Sequence, residues 1–265
     1  MTTPKIPTVK ENDSRLYLWD GGKYPGVTSV VGMLPKPALQ YWAAKKVAEA
    51  AIEKEHCTER DMNWLKAAPR RDLNKAATMG TNVHETLDRI ITEGLTDIPP
   101  DEEDFIRGFD QFRDRFNPQW VVTEQTVFGE CDGNGYAGSF DAIVRIDDEW
   151  GVSTDPDENW LIDFKTTRSG VHPEVAIQLA AYANAKEIIH PDGSSEPMPR
   201  IDRCGVLWLR PDEWAFVEIN ASQSPDDPFF GTFGALLKAW HWDNSVKSSA
   251  IGVPLASGNA QRYLF

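Results

Sequence analysis

Residues 161–168 read LIDFKTTR, and the class of fold turns on them. Leu161, Ile162 and Phe164 give the run a buried, strand-like character, yet an aspartate and a lysine stand two apart inside it. Alternate residues of a strand share one face, so Asp163 and Lys165 lie side by side while Phe164 packs behind them. One face is suited to chemistry and the other to a core.

Working outward, two earlier stretches have the same β-rich composition: WVVTEQTVFG at 120–129 and YAGSFDAIVRI at 136–146. The acidic loop DDEWGVSTDPDE at 147–158 carries Gly and Pro, which predicts an antiparallel hairpin between the second stretch and WLIDFKT. A helix is expected over Pro173 to Ile189, then two strands, RCGVLWLR and WAFVEIN, and a last helix around 229–241. Upstream, residues 101–116 repeat Phe105, Ile106, Phe109, Phe112 and Phe116 at helical spacing, a stripe that reads as core rather than as an aromatic binding surface.

The N-terminal part is mostly helical in pattern. ALQYWAAKKVAEAAIEKEH predicts a helix from Pro37 to about His56, a second is expected near 59–67, and a longer one ends near Gly94. Residues 16–30, LYLWDGGKYPGVTSV, read as short extended pieces around a Gly-Gly turn. Helices, a strand meander, a crossing helix and further strands predict an α/β fold with a mixed sheet flanked by helices. With no repeat or linker in view, we expect a single domain over 1–265: a helical N-terminal region at 1–77, a core at 78–245 and a tail at 246–265.

Composition narrows the function classes. The chain has 265 residues, 41% of them hydrophobic and 26% charged. That is the balance of a soluble globule with a substantial core. No apolar run reaches the ~18 residues of a spanning helix, and the polar start lacks a secretory core. No membrane association is expected, and the cytoplasm is the expected compartment. Cys57, Cys131 and Cys204 are isolated, which gives neither zinc-knuckle spacing nor a disulfide framework.

The net charge of -14 argues at first against a nucleic-acid partner. Its distribution softens the objection. Residues 1–100 hold 14 Lys+Arg against 13 Asp+Glu, so the acidity sits downstream. Residues 36–75 carry nine Lys+Arg against six Asp+Glu, and Lys45, Lys46, Arg70 and Arg71 are the candidates there for phosphate contact.

Several residues are placed for chemistry. Asp141, in GSFDAIV, has apolar neighbours, and the predicted hairpin brings it towards Asp163 at one end of the sheet. Two carboxylates in an apolar setting are costly without a cation or strong hydrogen bonds. A structural ion pair with Lys165 is the simpler reading. A divalent-metal site of oxygen ligands, suited to magnesium or manganese, is the sharper one.

In MGTNVHETLDRII, His84 and Asp88 lie four apart on one helix face. HETLD falls short of the zinc-protease motif HExxH because aspartate replaces the second histidine. Gly80 inside this helical stretch predicts a close approach to the backbone. In EVAIQLAAYANA, Gln178 and Tyr182 are likewise four apart, an amide and a phenol able to hold a phosphate or a base, or simply to line a core boundary.

These pieces in this order, GTNVHETL, GSFDAIV, LIDFKTT and QLAAY, resemble the PD-(D/E)xK nuclease superfamily. The likeness is to its RecB-like exonuclease branch, which includes CRISPR-adaptation nucleases and phage relatives. It spans roughly residues 78–185, and VTSVVGMLPKPALQYWAAKK also looks like the opening of phage-type members.

The resemblance implies a restriction-endonuclease-like core and a Mg2+- or Mn2+-dependent DNA exonuclease of phage or bacterial recombination, repair or DNA processing. It places metal ligands at His84, Asp141, Asp163 and the Phe164 carbonyl, and catalysis at Asp141, Asp163 and Lys165. Gln178 and Tyr182 would support the site and its DNA. The implied partners are single-stranded or duplex DNA ends and a recombination protein, in a bacterial host cell if the chain is phage-encoded. Lacking the cysteine set of the cluster-bearing members, the chain is expected to hold no iron-sulfur centre. Glu124 is a further carboxylate that the site could take up. A structure-specific endonuclease or junction resolvase on the same scaffold, and a DNA-binding protein without turnover, are the competing readings.

Overall fold

The computed structural model describes residues 6–12, 14–54, 56–146, 155, 157–253 and 255. Most of the acidic loop at 147–158, and the tail beyond 253 except Leu255, lie outside the described residues. The chain opens with a three-stranded antiparallel meander, β1 (Thr8–Glu11), β2 (Ser14–Trp19) and β3 (Gly22–Pro25). Then come α1 (Val27–Val31), α2 (Ala38–Glu53), α3 (Met62–Lys66), α4 (Ala68–Glu93) and α5 (Glu103–Phe116). The remainder is β4 (Gln119–Cys131), β5 (Asn134–Arg145), β6 (Trp160–Lys165), α6 (Glu174–Ala183), β7 (Glu187–Ile189), β8 (Ser195–Pro197), β9 (Arg203–Leu209), β10 (Trp214–Ile219) and α7 (Pro228–His241).

Seven strands form one mixed sheet in the order β10-β9-β6-β5-β4-β7-β8. The α/β fold with a mixed sheet flanked by helices is thus as the sequence pattern predicts. The predicted hairpin is present: β5 and β6 run antiparallel, with Ala142 opposite Ile162 and Val144 opposite Trp160. On its other side β6 pairs parallel with β9, Trp160 to Arg203 through Lys165 to Trp208. β6 is therefore central and covered on both faces, which explains its nearly continuous apolar character.

The two faces carry separate cores. On one, Val27 and Val30 of α1, Leu179 and Tyr182 of α6 and Phe233 and Leu237 of α7 meet Tyr136, Phe140, Ile143 and Leu161. On the other, Val83 and Leu87 of α4 and Phe105, Phe109, Phe112 and Phe116 of α5 meet Ala142, Val144, Trp160, Ile162 and Phe164. The aromatic stripe of α5 is buried, as its helical spacing predicts, and each of its large rings contributes about 2 to 3 kcal/mol through burial. Alternation along β5 breaks at Asp141: Phe140 faces the first core, yet Ala142, two residues on, faces the second.

Two expectations fail locally. The helix predicted to run to Ile189 stops at Ala183, where the Asn184 side chain donates to the carbonyls of Ala180 and Ser222. Residues 187–189 instead form β7, whose Ile188 and Ile189 pair with Val127 and Thr126 of β4. Strand pairing outweighs the continuing apolar pattern there. Residues 27–30, expected to be extended, belong to α1: Val27, Val30 and Val31 fall on one helical face and are buried against the first core. Strands β1 and β8 have no counterpart in the sequence reading.

Candidate active site

Helix α4 delivers His84. Buried Val83 and Leu87 fix its inner face, and a Cβ on Gly80 would stand 3.2 Å from the Thr166 hydroxyl oxygen just past β6. The close approach expected at Gly80 is therefore real, and it seats the helix on the end of that strand. The imidazole ring sits edge-on to Phe164 with centroids 5.9 Å apart, and its Nδ1 lies 3.4 Å from Asp141 Oδ1. On the same helix face, Asp88 accepts a hydrogen bond from the Thr123 hydroxyl at 3.2 Å, pinning β4 beside the site.

Asp141 lies one residue beyond the last paired position of β5 against β6, where the two strands part. Its Oδ2 accepts the Phe164 amide N–H at 2.6 Å, so a side chain replaces the missing rung of the ladder. In an extended strand the N–H and C=O of one residue face the same neighbour. The Phe164 carbonyl therefore projects towards the Asp141 side, while its side chain is buried among Phe109 and Trp120.

Asp163 is held differently. Its Oδ1 accepts from Gln178 Nε2 of α6 at 2.7 Å, and its Oδ2 pairs with Lys165 Nζ at 2.7 Å. Lys165 Nζ also lies 3.5 Å from Gln178 Oε1. The two groups thus reach the sheet end from opposite layers, His84 from the α4 side and Gln178 from the α6 side. A buried array of this kind is costly wherever a polar atom lacks a hydrogen bond, and Asp163 Oδ2, which has the ion contact to Lys165 but no hydrogen-bond partner, is such an atom.

The electrostatics divide the two acids. Burial pushes the Asp163 carboxyl up, Lys165 opposes this and nearby Asp141 adds to it. Burial also acts on Asp141, but the His84 imidazole and the Lys165 ammonium outweigh it and hold the carboxyl below its ordinary range. For His84, burial pulls the imidazole down and the Asp141 carboxylate more than reverses this, to about 9. Lys165 is desolvated too, yet Asp163 and Asp141 raise it. One acid in a shared low-dielectric site is favoured as the anion and its neighbour is not.

The structure thus brings together His84, Asp141, Phe164, Asp163, Lys165 and Gln178. It moves Tyr182 out of any direct contact with a ligand. That residue is only 2% exposed, with its ring against Gly138, where a Cβ would meet it at 2.7 Å. Burial raises its phenol, and the Gln178 side chain lies against the hydroxyl, so Tyr182 backs Gln178 rather than facing solvent.

Lys45, Lys46, Arg70 and Arg71 stay on the helical region. Lys46 pairs with Glu49 at 3.1 Å and with Asp72 at 3.6 Å. Lys45 lies 3.7 Å from the same Glu49, Arg71 stacks over Trp64 at 4.5 Å, and Arg70 is exposed. Lys46 and Arg71 thereby tie α2 to α4 and α4 to α3.

Two features go beyond the sequence reading: a cleft, and the backbone geometry of Glu124, the carboxylate already named as one the site could take up. A cleft of about 270 Å³ opens beside Lys165 and Gln178, lined also by Thr28, Lys36, His172 and Glu174. Helix α2 begins just after Lys36 and α4 returns at Gly80, so the intervening helices start and end at the flanks of this site. Glu124 is the second feature. It has a left-handed φ of 50° inside β4, and with His84 and Asp141 it offers ligand atoms all within 4.8 Å of one another. An imidazole and two carboxylates, with no thiolate, suit a hard or borderline dication.

No protein-family model matches the chain, and no curated protein matches it. Among solved structures, one titled "Crystal structure of SSO0001" is similar over 82% of this chain and 96% of its own, with 15% identity and a TM-score of 0.34. A likeness of that size carries no argument about fold or function. Among the described residues, no helix is long and apolar enough to cross a membrane.

Proposed function

We propose that this chain is a metal-dependent deoxyribonuclease that removes nucleotides from DNA ends with Mg2+ or Mn2+. The observation that supports it most is convergence. His84, Asp141, Asp163, Lys165 and Gln178 lie on four separate elements and meet at one parted strand end beside a cleft. A structural ion pair between Asp163 and Lys165 would need neither His84 nor Asp141.

His84 and Asp141 would hold the dication. When bound, such an ion polarises a phosphoryl oxygen and makes water a better nucleophile near neutral pH. The chain's own groups do the rest. Lys165 stays cationic through its two acidic neighbours and presents its ammonium to the negative charge that builds on a phosphate during displacement. Asp163 fixes that ammonium through the 2.7 Å contact. Gln178 locks Asp163 in one rotamer through the 2.7 Å hydrogen bond, with Tyr182 behind it. Lys36 and Lys165 give the cleft two cations along which a phosphate backbone can lie.

The test incubates purified protein and Mg2+ or Mn2+ with end-labelled linear, closed circular and branched DNA. Progressive loss of linear DNA alone is expected, and it should vanish in Asp163→Asn. Cutting of circles or branched junctions would replace the exonuclease reading with an endonuclease one. Inertness on all three substrates would leave a DNA-binding protein without turnover.

A further inference from the structure

We propose that Arg168 grips the phosphate backbone of DNA at the mouth of the cleft, a substrate-binding group outside the metal site; this rests on the nuclease reading above. Arg168 lies on the loop between β6 and α6. Thr167 before it and Gly170 after it both line the cleft, which sets Arg168 at the rim, three residues past Lys165.

This loop is braced from outside and from within. The Thr166 carbonyl accepts from Arg210 at 3.2 Å and the Thr167 carbonyl from Trp208 Nε1 at 2.7 Å. The Thr167 hydroxyl donates to the Gly170 carbonyl at 2.7 Å, and Ser169 Oγ lies 2.7 Å from His172 Nε2. Gly170 makes the turn with a left-handed φ of 85°, which glycine adopts without strain. Arg168 is exposed and, among the described residues, its side chain has no hydrogen-bond or ion-pair partner. Every other described lysine and arginine from Asp101 onward touches an acid, a carbonyl or a ring. In the acidic part of the chain, one guanidinium is thus kept away from the carboxylates.

The two lysines inside the cleft differ from it. Lys36 lies 3.5 Å from Glu174 and Lys165 lies 2.7 Å from Asp163, so each has an acid offsetting its pull on a phosphate. Arg168 keeps its whole charge, and a guanidinium can take two phosphate oxygens at once. Because the loop is already fixed, little freedom is lost when the contact forms.

Steady-state degradation of end-labelled DNA by the full chain with Mn2+, repeated over a series of salt concentrations, tests this. Arg168→Gln should lower kcat/KM about ten-fold at low salt, mainly through KM, and reduce the slope of log(kcat/KM) against log[salt] by about one. Arg168→Lys should restore the slope but only part of the affinity, since an ammonium cannot make the forked contact. Arg107→Gln, which removes a cation already paired with Asp104, should change neither. Arg168→Gln breaks no bond within the chain, so its Tm and its Mn2+ affinity by calorimetry should match those of the unsubstituted chain. An unchanged KM and salt slope in Arg168→Gln would overturn the assignment, as would an equal flattening in Arg107→Gln, which would trace the effect to net charge alone. If the unsubstituted chain degrades no DNA, the nuclease reading falls and this one with it. If it degrades DNA and Arg168→Gln does so equally well at every salt concentration, the assignment of Arg168 alone is refuted.

Discussion

Asp163 is only 4% exposed, and its tolerance in the core depends on two neighbours. Lys165→Met removes the ammonium and leaves a carboxyl that keeps one hydrogen bond, from Gln178. Part of the penalty is relieved by protonation, so the expected loss is about 2 kcal/mol. Thermal denaturation should show this as a drop in Tm of about 5 °C. Tyr182→Phe removes only the hydroxyl beside Gln178 and should cost about 1 kcal/mol. It should lower the nuclease rate several-fold while leaving Mn2+ affinity unchanged, since Tyr182 touches no metal-ligand candidate. Loss of Mn2+ binding in that variant would mean that Tyr182 supports the metal ligands themselves and not Gln178 alone.

The identities of these groups were legible in sequence because each sits in a short motif whose period puts it on a known face. Glu124 was only half legible. Nothing in VVTEQTV announces a left-handed backbone, which here belongs to the way β4 meets β5 around Asp141. The burial of Tyr182, on α6, was hidden for a similar reason, since its partner Gly138 lies on β5.

At the scale of elements, the contact between α6 and β5 sets the position of Gln178. A side chain at residue 138 would press on the Tyr182 ring at 2.7 Å and on Val27 at 3.0 Å. Gly138→Val is therefore expected to destabilise the fold by about 1–3 kcal/mol. If it still folds, it should lose nuclease activity out of proportion to its loss of stability, since α6 must shift and Gln178 with it. Urea denaturation alongside the rate assay separates the two effects. Strongly periodic elements such as α4, α5 and β4–β6 could be read from sequence. The three-residue strands β7 and β8 could not, because they exist through pairing at a sheet edge rather than through local propensity. The run VTSV was misread because its β-branched residues favour strands locally, while burial of Val27, Val30 and Val31 rewards a helix.

Across the whole molecule, burial is uneven. In α2 only Ala50 is buried and in α3 no residue is, and Tyr41, on α2, is 80% exposed. The strands β5, β6 and β9, by contrast, are sealed between two cores. Regions with few buried contacts open at low free energy. Amides of α2 and α3 should therefore exchange with deuterium well before those of β6, and limited proteolysis should cut first between residues 36 and 75. Uniform protection across both regions would contradict this gradient. Residues 36–75, which include both helices, carry nine Lys+Arg against six Asp+Glu, so on the proposed reading the region predicted to loosen first is also the one offered to DNA.

The parallel ladder between β6 and β9 has a consequence for synthesis. Residues 160–165 acquire their second neighbour only from residues 203–208, and Lys165 itself is the last rung. A polypeptide still attached to the ribosome and not yet extended through Leu209 contains every side chain of the site but lacks the strand that holds Asp163 and Lys165 in place. On the nuclease reading proposed above, stalled fragments ending before that point should be inert, because completing β6 alone does not complete the site.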